Sequence, residues 1–351
     1  GAGTCSMAAT RFVRFSFTGS PFEARESFYT DLPRDTPPSA PSASPPPEHL
    51  LPTPRAASPR AVARVRVDKL TPALFQERYV GTGTPVVITG LFEKDMSCWE
   101  LANFWPLLDE EAPLQCRIHG GDRFALSPER WSGRSHARRV VTTSSRRYAE
   151  TIASGVAQRD DLYVQSDIAR TRAGKLLQPR LERLARATGL RLHQQYGPIV
   201  NMWWGGCGHT EPLHIDVTDG TLLQLCGQKH VVLYPPCCWK SLAPFPVDPG
   251  GMSWAFSRAA GQTDPPDLVR FPGLAEAWPL RQEVLLREGE VLFIPACCAH
   301  EIRGERSSLS SSGPQHVLSV NRFWRTSPYL VHPHLPEDAL AAYEKCLAFY
   351  S

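Results

Sequence analysis

Residues 212–216 read Pro-Leu-His-Ile-Asp, and a second histidine, His300, follows far along the chain. In an extended strand alternate side chains share a face, so His214 and Asp216 are expected to lie together with Ile215 turned away. Two imidazoles and one carboxylate typically hold a divalent ion such as Fe(II) and leave part of its coordination sphere open. The sequence therefore predicts a metal site made by these three residues, here called the metal triad.

The sequence around the triad is a series of short apolar runs separated by turn residues. The runs are Asn201–Trp204, Leu213–Asp216, Thr221–Leu225, His230–Tyr234, Glu283–Leu286, Glu290–Ile294 and His316–Phe323. Short strands at this spacing are typical of a β-sandwich or barrel. Helical patterns lie on either side of this region, so we expect a mainly β fold with flanking helices.

Two neighbouring features bear on the choice of ligands. His209-Thr210-Glu211 also has the form His-x-acid, but the glycine-rich stretch 205–208 predicts a loop there. Lys229 enters an apolar strand, which is unfavourable unless an anion pairs with its ammonium group. A dicarboxylate cosubstrate would supply that anion, and a lysine facing solvent from an edge strand is the alternative.

Composition places the chain among ordinary globular proteins. It has 351 residues, 42% of them hydrophobic, which is enough for a sizeable core. The net charge of +3 excludes a strongly basic nucleic-acid binder as a description of the whole chain. One local cluster, Arg138, Arg139, Arg146 and Arg147 beside Tyr148, favours either an RNA contact or a solvated loop.

The pattern along the chain predicts four parts. Residues 1–60 are rich in Pro and Ser and are expected to be disordered, and residues 1–6 look like a cloning remnant. An α/β part is expected over 61–190 and the β core over 191–326. A C-terminal helix is expected within 327–351, where it could form a homodimer.

Cysteine usage and hydropathy indicate the compartment. The ten cysteines include no CxxC spacing, so we expect reduced thiols rather than a zinc knuckle. There is no apolar run of membrane-spanning length, and no membrane partner is expected. These features predict a cytoplasmic or nuclear protein.

Four motifs in a fixed order make the chain resemble one family, the JmjC or cupin-like Fe(II)/2-oxoglutarate oxygenases. The motifs are Pro212–Asp216, Gln224–Pro236, Gly289–His300 and Ser319–Trp324, and Pro266–Pro272 resembles a further family stretch. The resemblance extends from about residue 67 to the last motif. It implies a double-stranded β-helix, the jelly-roll fold of cupins.

The resemblance also implies cofactors and their ligands. Fe(II) would be held by the metal triad, with 2-oxoglutarate and O₂ as cosubstrates and ascorbate as an aid in vitro. Lys229 would pair with the distal carboxylate of 2-oxoglutarate, helped by Tyr163, and Asn321 would lie near the cofactor. Gln165 and Trp203 are candidate substrate contacts.

Two positions depart from the family pattern. Glu211 stands where the family often has a Thr or Ser that hydrogen-bonds the cosubstrate, so either Thr210 takes that role or Glu211 points away. Cys298 and Ala299 replace an aromatic pair before the last histidine, which leaves a smaller wall. A carboxylate at position 211 would repel 2-oxoglutarate.

The resemblance implies a hydroxylase that acts on a macromolecule, either a wybutosine-type base in tRNA or a protein side chain. Within the family the chain looks most similar to the tRNA wybutosine hydroxylase and to asparaginyl hydroxylase-like proteins. Two alternatives stay open. One is a histone or protein lysine demethylase, and the other is a binding protein that has kept the JmjC fold but lost turnover, with Glu211 as the reason.

Overall fold

The computed structural model describes residues 59–92, 96–109, 113–119, 139–192, 198–246, 253–261, 265–306, 316–325 and 340–341. All of them belong to the unit Pro52–Ser351. The expectations for the N-terminal segment, for Arg138 and for most of the C-terminal helix lie outside the described residues. The predicted domain boundaries and the homodimer therefore stay predictions.

The described residues form strands and short helices in the following order. The strands are β1 (Arg60–Ala61), β2 (Arg64–Arg66), β3 (Val86–Thr89), β4 (Leu114–Ile118), β5 (Arg139–Thr143), β6 (Leu162–Asp167), β7 (Asn201–Gly206), β8 (Thr210–His214), β9 (Asp219–Cys226), β10 (Gln228–Tyr234), β11 (Gln282–Leu286), β12 (Val291–Ile294), β13 (Ala299–Glu305) and β14 (His316–Trp324). The α-helices are α1 (Pro72–Phe75), α2 (Leu101–Phe104), α3 (Ser145–Ala153), α4 (Val156–Arg159), α5 (Arg172–Thr188) and α6 (Leu274–Ala277). None of the helices in these ranges is long and apolar enough to cross a membrane.

The strands assemble into two sheets. The smaller sheet has the order β1-β11-β10-β13-β8, and the larger has the order β2-β3-β12-β9-β14-β7-β6-β4-β5. The ladders are antiparallel except for β1 with β11 and β2 with β3. Eight of the twelve neighbouring pairs join strands that are not consecutive in the chain, as in a jelly roll. The expected fold class, mainly β with flanking helices, is confirmed.

A cluster of buried aliphatic side chains lies between the two sheets. Val87, Leu222 and Leu292 of the larger sheet belong to it, as do Val231 and Val284 of the smaller sheet. Each is buried at an alternate position of its strand, and burial of such a side chain contributes about 1.5–3 kcal/mol. The cluster holds the two inner faces together.

Helices cover the outer face of the larger sheet. The longest of them, α5, begins where Thr171 caps its first turn and ends at Gly189, whose φ of 70° is the left-handed conformation that glycine favours. Leu177, Leu181 and Leu184 are buried at helical spacing. They belong to the largest apolar cluster, which anchors this side of the sheet.

Tyr148 links helix α3 to the larger sheet. Its hydroxyl lies 2.9 Å from the carbonyl of Leu162 in β6 and 3.0 Å from that of Trp204 in β7. Its ring packs edge-on against the Trp204 indole, with 4.9 Å between centroids. Only 1% of Tyr148 is exposed. Its suggested role beside the arginine cluster as an RNA contact is therefore wrong, because a base cannot stack on a buried ring.

We predict that Tyr148→Phe lowers the free energy of unfolding by roughly 1–2 kcal/mol. The substitution removes the buried hydroxyl donor that the carbonyl groups of Leu162 and Trp204 face. Urea denaturation measures this. Arg146→Ala, at a side chain that is 67% exposed, is the control and should change stability by less than about 0.5 kcal/mol. Equal stability of Tyr148→Phe and the wild type would contradict the structural role of this hydroxyl.

Candidate metal centre and cosubstrate pocket

The members of the metal triad meet where β8 and β13 run side by side. His214 is the last residue of β8 and the cross-strand partner of His300 in β13, with 4.2 Å between ring centroids. Nε2 of His300 lies 3.6 Å from Oδ2 of Asp216. Donor atoms of all three residues lie within 4.8 Å of one another. This separation lets them share one divalent ion.

Asp216 reaches the site from a turn and not from the strand. The strand ends at His214, so the expected alternation along a strand is corrected. The turn is fixed by two backbone hydrogen bonds: Ile215 donates to Ala255 over 2.8 Å, and Cys297 donates to Asp216 over 2.7 Å. The segment before His300 therefore holds the backbone of Asp216 directly.

Both triad histidines are oriented by their own backbone. Nδ1 of His214 lies 2.6 Å from the carbonyl oxygen of Pro212, and Nδ1 of His300 lies 2.9 Å from that of Cys298. A carbonyl oxygen only accepts, so each Nδ1 carries a proton, and Nε2 is the nitrogen of each ring that would coordinate an ion. Metal-binding histidines are commonly oriented in this way.

Burial gives the triad the electrostatics of a cation site. Burial lowers the pKa of His300 to about 3, so its imidazole is neutral and able to coordinate at pH 7. Burial also raises the pKa of Asp216, because its negative charge is poorly solvated. A divalent ion would offset that charge. Two imidazole nitrogens and one carboxylate oxygen fit Fe(II).

Lys229 lies on the same face of the smaller sheet as the triad histidines. It pairs in register with Gly304 of β13, and only 3% of it is exposed. Its Nζ donates to Oγ of Ser319 over 2.6 Å and to the hydroxyl of Tyr163 over 3.3 Å. Because β10 lies between β11 and β13, the alternative of a solvent-facing edge lysine is wrong. Tyr163 was expected at this position from the sequence. Ser319 was not, although it is the first residue of the last family motif.

Burial of the Lys229 ammonium lowers its pKa to about 7, and the nearby charge of Glu211 only partly opposes this. The ammonium form of the side chain therefore lacks a full counter-charge within the protein. Binding of an anion beside Nζ would favour its protonated form. The pocket around it is lined by Tyr163, Gly206, His209, Lys229, Ile302, Gly304 and Val317. It is narrow, and its side chains must move apart to admit a dicarboxylate.

A β-bulge in β8 decides which residue faces this pocket. The register shifts between His300 and Ile302, so Glu211 pairs with Ile302 and shares the face of His214. Thr210 pairs with Arg303, which is exposed on the opposite face. The structure thus does not bring Thr210 to the cosubstrate pocket, and Glu211 does not point away.

The Glu211 carboxylate is already paired with positive or donating groups. It lies 3.2 Å from Nε2 of His209 and 3.5 Å from Nη1 of Arg117. Burial alone would raise its pKa, but the hydrogen bond from His209 and the charge of Arg117 outweigh burial and hold its pKa well below the usual range. The carboxylate is ionised, and its charge is largely offset within the protein.

The remaining candidate residues line one face of the larger sheet. Gln165 and Trp203 are cross-strand partners in β6 and β7. The indole of Trp203 donates to Oδ1 of Asn321 over 2.9 Å, and its ring lies 5.9 Å from that of Tyr163. Arg117 donates to the side chain of Gln165. The structure therefore brings the candidates Tyr163, Gln165, Trp203 and Asn321 together, with Asn321 hydrogen-bonded to Trp203.

A jelly roll with a His-Asp-His cluster on one sheet is the arrangement of a cupin-like domain with a candidate metal site. The chain belongs to the cupin-like domain family, whose profile matches residues 72–329. The resemblance stated from the sequence motifs is confirmed.

The curated relatives carry two kinds of name. Lysine-specific demethylase 8 of Danio rerio is 34% identical over 113 residues, which are 32% of this chain and 26% of that protein. The tRNA wybutosine-synthesizing protein 5 of Homo sapiens is 33% identical over 115 residues, 33% of this chain and 30% of that protein. Lysine-specific demethylase JMJ31 of Arabidopsis thaliana is 26% identical over 138 residues, 39% of this chain and 22% of that protein. The matched stretches therefore span at most 30% of these relatives.

We predict that Lys229→Met flattens the pH dependence of stability. The folded-state pKa is about 7 and an unfolded lysine titrates near 10.4. Between these values the unfolded chain binds a proton that the folded chain lacks. The free energy of unfolding therefore rises with pH, by up to about 1.4 kcal/mol per unit from this group.

Urea denaturation at pH 7 and pH 9 tests this, with Lys240→Met at an exposed position as the control. The control should keep the wild-type slope with pH, whereas Lys229→Met should lose part of it. Parallel slopes for all three proteins would show that Lys229 is not the titrating group.

Proposed function

We propose that this protein is an Fe(II)- and 2-oxoglutarate-dependent dioxygenase that hydroxylates a macromolecular substrate. One observation carries the proposal: the two triad histidines and a buried lysine share one sheet face. Lys229 and the partner of His300, Leu233, are four residues apart on β10, about 13 Å along the strand. A lysine side chain and a five-carbon dicarboxylate together span that gap.

Each group in the pocket has a distinct task in this proposal. The triad would bind Fe(II) through its two Nε2 atoms and one carboxylate. Lys229, Tyr163 and Ser319 would bind the distal carboxylate of 2-oxoglutarate. When bound, Fe(II) and 2-oxoglutarate would supply the electrons that activate O₂: one oxygen atom would enter succinate as CO₂ is lost, and the other would enter a substrate C–H bond. The aliphatic cluster between the sheets keeps water from this region.

The alternative of a catalytically impaired binding protein is not favoured. Its support was the carboxylate of Glu211, which was expected to repel the cosubstrate. That carboxylate is paired with Arg117 and His209, so its charge is offset before any ligand arrives. The donor atoms of the triad are also complete and close together.

The substrate class is part of the proposal. We favour a wybutosine-type base of tRNA or a protein side chain, with Gln165 and Trp203 as candidate contacts. A lysine demethylase is the second candidate, because several relatives bear that name. The same oxidation at an N-methyl carbon would release formaldehyde. Detection of formaldehyde therefore distinguishes a demethylase from a hydroxylase. We place the protein in the cytoplasm or nucleus.

We predict succinate formation with Fe(II), ascorbate and 2-oxoglutarate when the right substrate pool is added. Bulk tRNA, an unmodified peptide library and a methyl-lysine peptide library are offered separately to the wild type and to His214→Ala. One pool should stimulate the wild type, and the variant should lose about 100-fold or more because it lacks a ligand. No turnover above the variant, although metal is bound, would contradict the proposal.

We predict that Glu211→Gln tightens 2-oxoglutarate binding. The substitution removes a negative charge near Lys229 and leaves Arg117 uncompensated, so the pocket becomes more positive. A change of about 1 kcal/mol corresponds to roughly a fivefold lower Kd. Calorimetry on Mn²⁺-loaded protein measures it, with the exposed Glu77→Gln as the control. Unchanged or weaker binding would show that Glu211 does not act on the cosubstrate.

A further inference from the structure

A second cluster of metal-binding side chains lies beside the pocket. His119 directly follows β4, Asp161 directly precedes β6, and His209 directly precedes β8. Both histidines are buried, and donor atoms of the three residues lie within 4.8 Å of one another. From this geometry we infer that they form a second metal site, suited to Zn²⁺ and separate from the metal triad.

The hydrogen bonds identify, for each histidine, the ring nitrogen that would coordinate an ion. Nδ1 of His119 lies 3.2 Å from the carbonyl oxygen of Asp161, which can only accept, so Nε2 of His119 carries the lone pair. Nε2 of His209 lies 3.2 Å from the Glu211 carboxylate, which is ionised. Nδ1 of His209 shares a proton with Oδ1 of Asp161 in the metal-free protein, and Zn²⁺ would replace that proton while Nε2 keeps its own toward Glu211. A carboxylate or carbonyl behind each ligand histidine is the usual support of a metal site.

Asp161 supplies the anionic ligand. Its Oδ1 lies 2.7 Å from Nδ1 of His209, and its backbone carbonyl accepts the N–H of His119 over 3.1 Å. Two imidazole nitrogens and one carboxylate oxygen are ligands that Zn²⁺ accepts in tetrahedral sites, with a water as the fourth ligand. The Glu211 carboxylate lies behind His209, 3.2 Å from its Nε2, so it would support the positive charge of a bound divalent cation.

The metal-free alternative is a protonated His209 that donates to both carboxylates. A metal site would bind Zn²⁺ in addition to the ion at the metal triad, whereas a hydrogen-bonded imidazolium would not. In either case the ring of His209 stacks on that of Tyr163, with 3.6 Å between centroids and 16° between planes. Tyr163 in turn bonds Lys229. A bound ion would therefore fix one wall of the pocket, whether or not the protein is an oxygenase.

Zinc stoichiometry of the full chain tests the site. The protein is stripped with a chelator, dialysed against Zn²⁺ and analysed by mass spectrometry of the metal. We expect about two equivalents per chain in the wild type, about one in His214→Ala, about one in His119→Ala and none in the double variant. His230→Ala, which removes a half-buried histidine paired with Glu283 over 3.3 Å, is the control and should keep both.

A second variant guards against misfolding. Asp161→Asn keeps the size and hydrogen-bonding capacity of the side chain but removes the anionic ligand. In the His214→Ala background Zn²⁺ should raise the Tm, and adding Asp161→Asn should abolish that rise while circular dichroism stays unchanged. If zinc content and Tm shift are the same with and without His119 and the Asp161 carboxylate, the cluster is a hydrogen-bonded imidazolium and the inference is overturned.

Discussion

The register of β10, β13 and β8 is the constraint on which the rest of the site depends. It places His214, His300, Glu211 and Lys229 on one face of one sheet. A slip of one residue in any of these ladders would turn a whole set of side chains to the opposite face. The bulge before His214 is such a slip, confined to one strand. Because of it, Glu211 faces the pocket and Thr210 faces the opposite side of the sheet.

Most charged groups around the pocket lie next to a group of opposite charge or a hydrogen-bond donor. Glu211 lies between Arg117 and His209, and His209 lies between Glu211 and Asp161. Lys229 is the exception in electrostatic terms, since burial lowers its pKa to about 7 and, among the described residues, the hydrogen bonds of its Nζ go to two hydroxyl groups. A buried cation without a full counter-charge costs stability unless a ligand supplies the anion. The proposed cosubstrate is therefore the component that completes the electrostatics of the pocket.

Much of this could be predicted from local sequence signals. Alternating apolar residues indicated most strands of the core, and the motif around His214 and the later His300 indicated the triad. The strand β13 was not predicted, because its residues after His300 are mostly polar and its place in the sheet follows from pairing with β10 and β8. The bulge, the Lys229–Ser319 bond and the His119–Asp161–His209 cluster depend on contacts between distant segments. No local pattern encodes such contacts, and the glycines before His209, expected to form a loop, largely belong to β7.

The central claim is that the triad and Lys229 bind the two ends of one metal-chelating dicarboxylate. Its most direct test is an anaerobic titration of the Fe(II)-loaded protein with 2-oxoglutarate, followed by the visible charge-transfer absorption of the chelate. We predict saturation near one equivalent in the wild type, no absorption in His300→Ala, and a titration shifted to at least about tenfold higher concentration in Lys229→Met. A wild type that binds Fe(II) but shows no absorption, or a Lys229→Met variant that titrates like the wild type, would contradict the account.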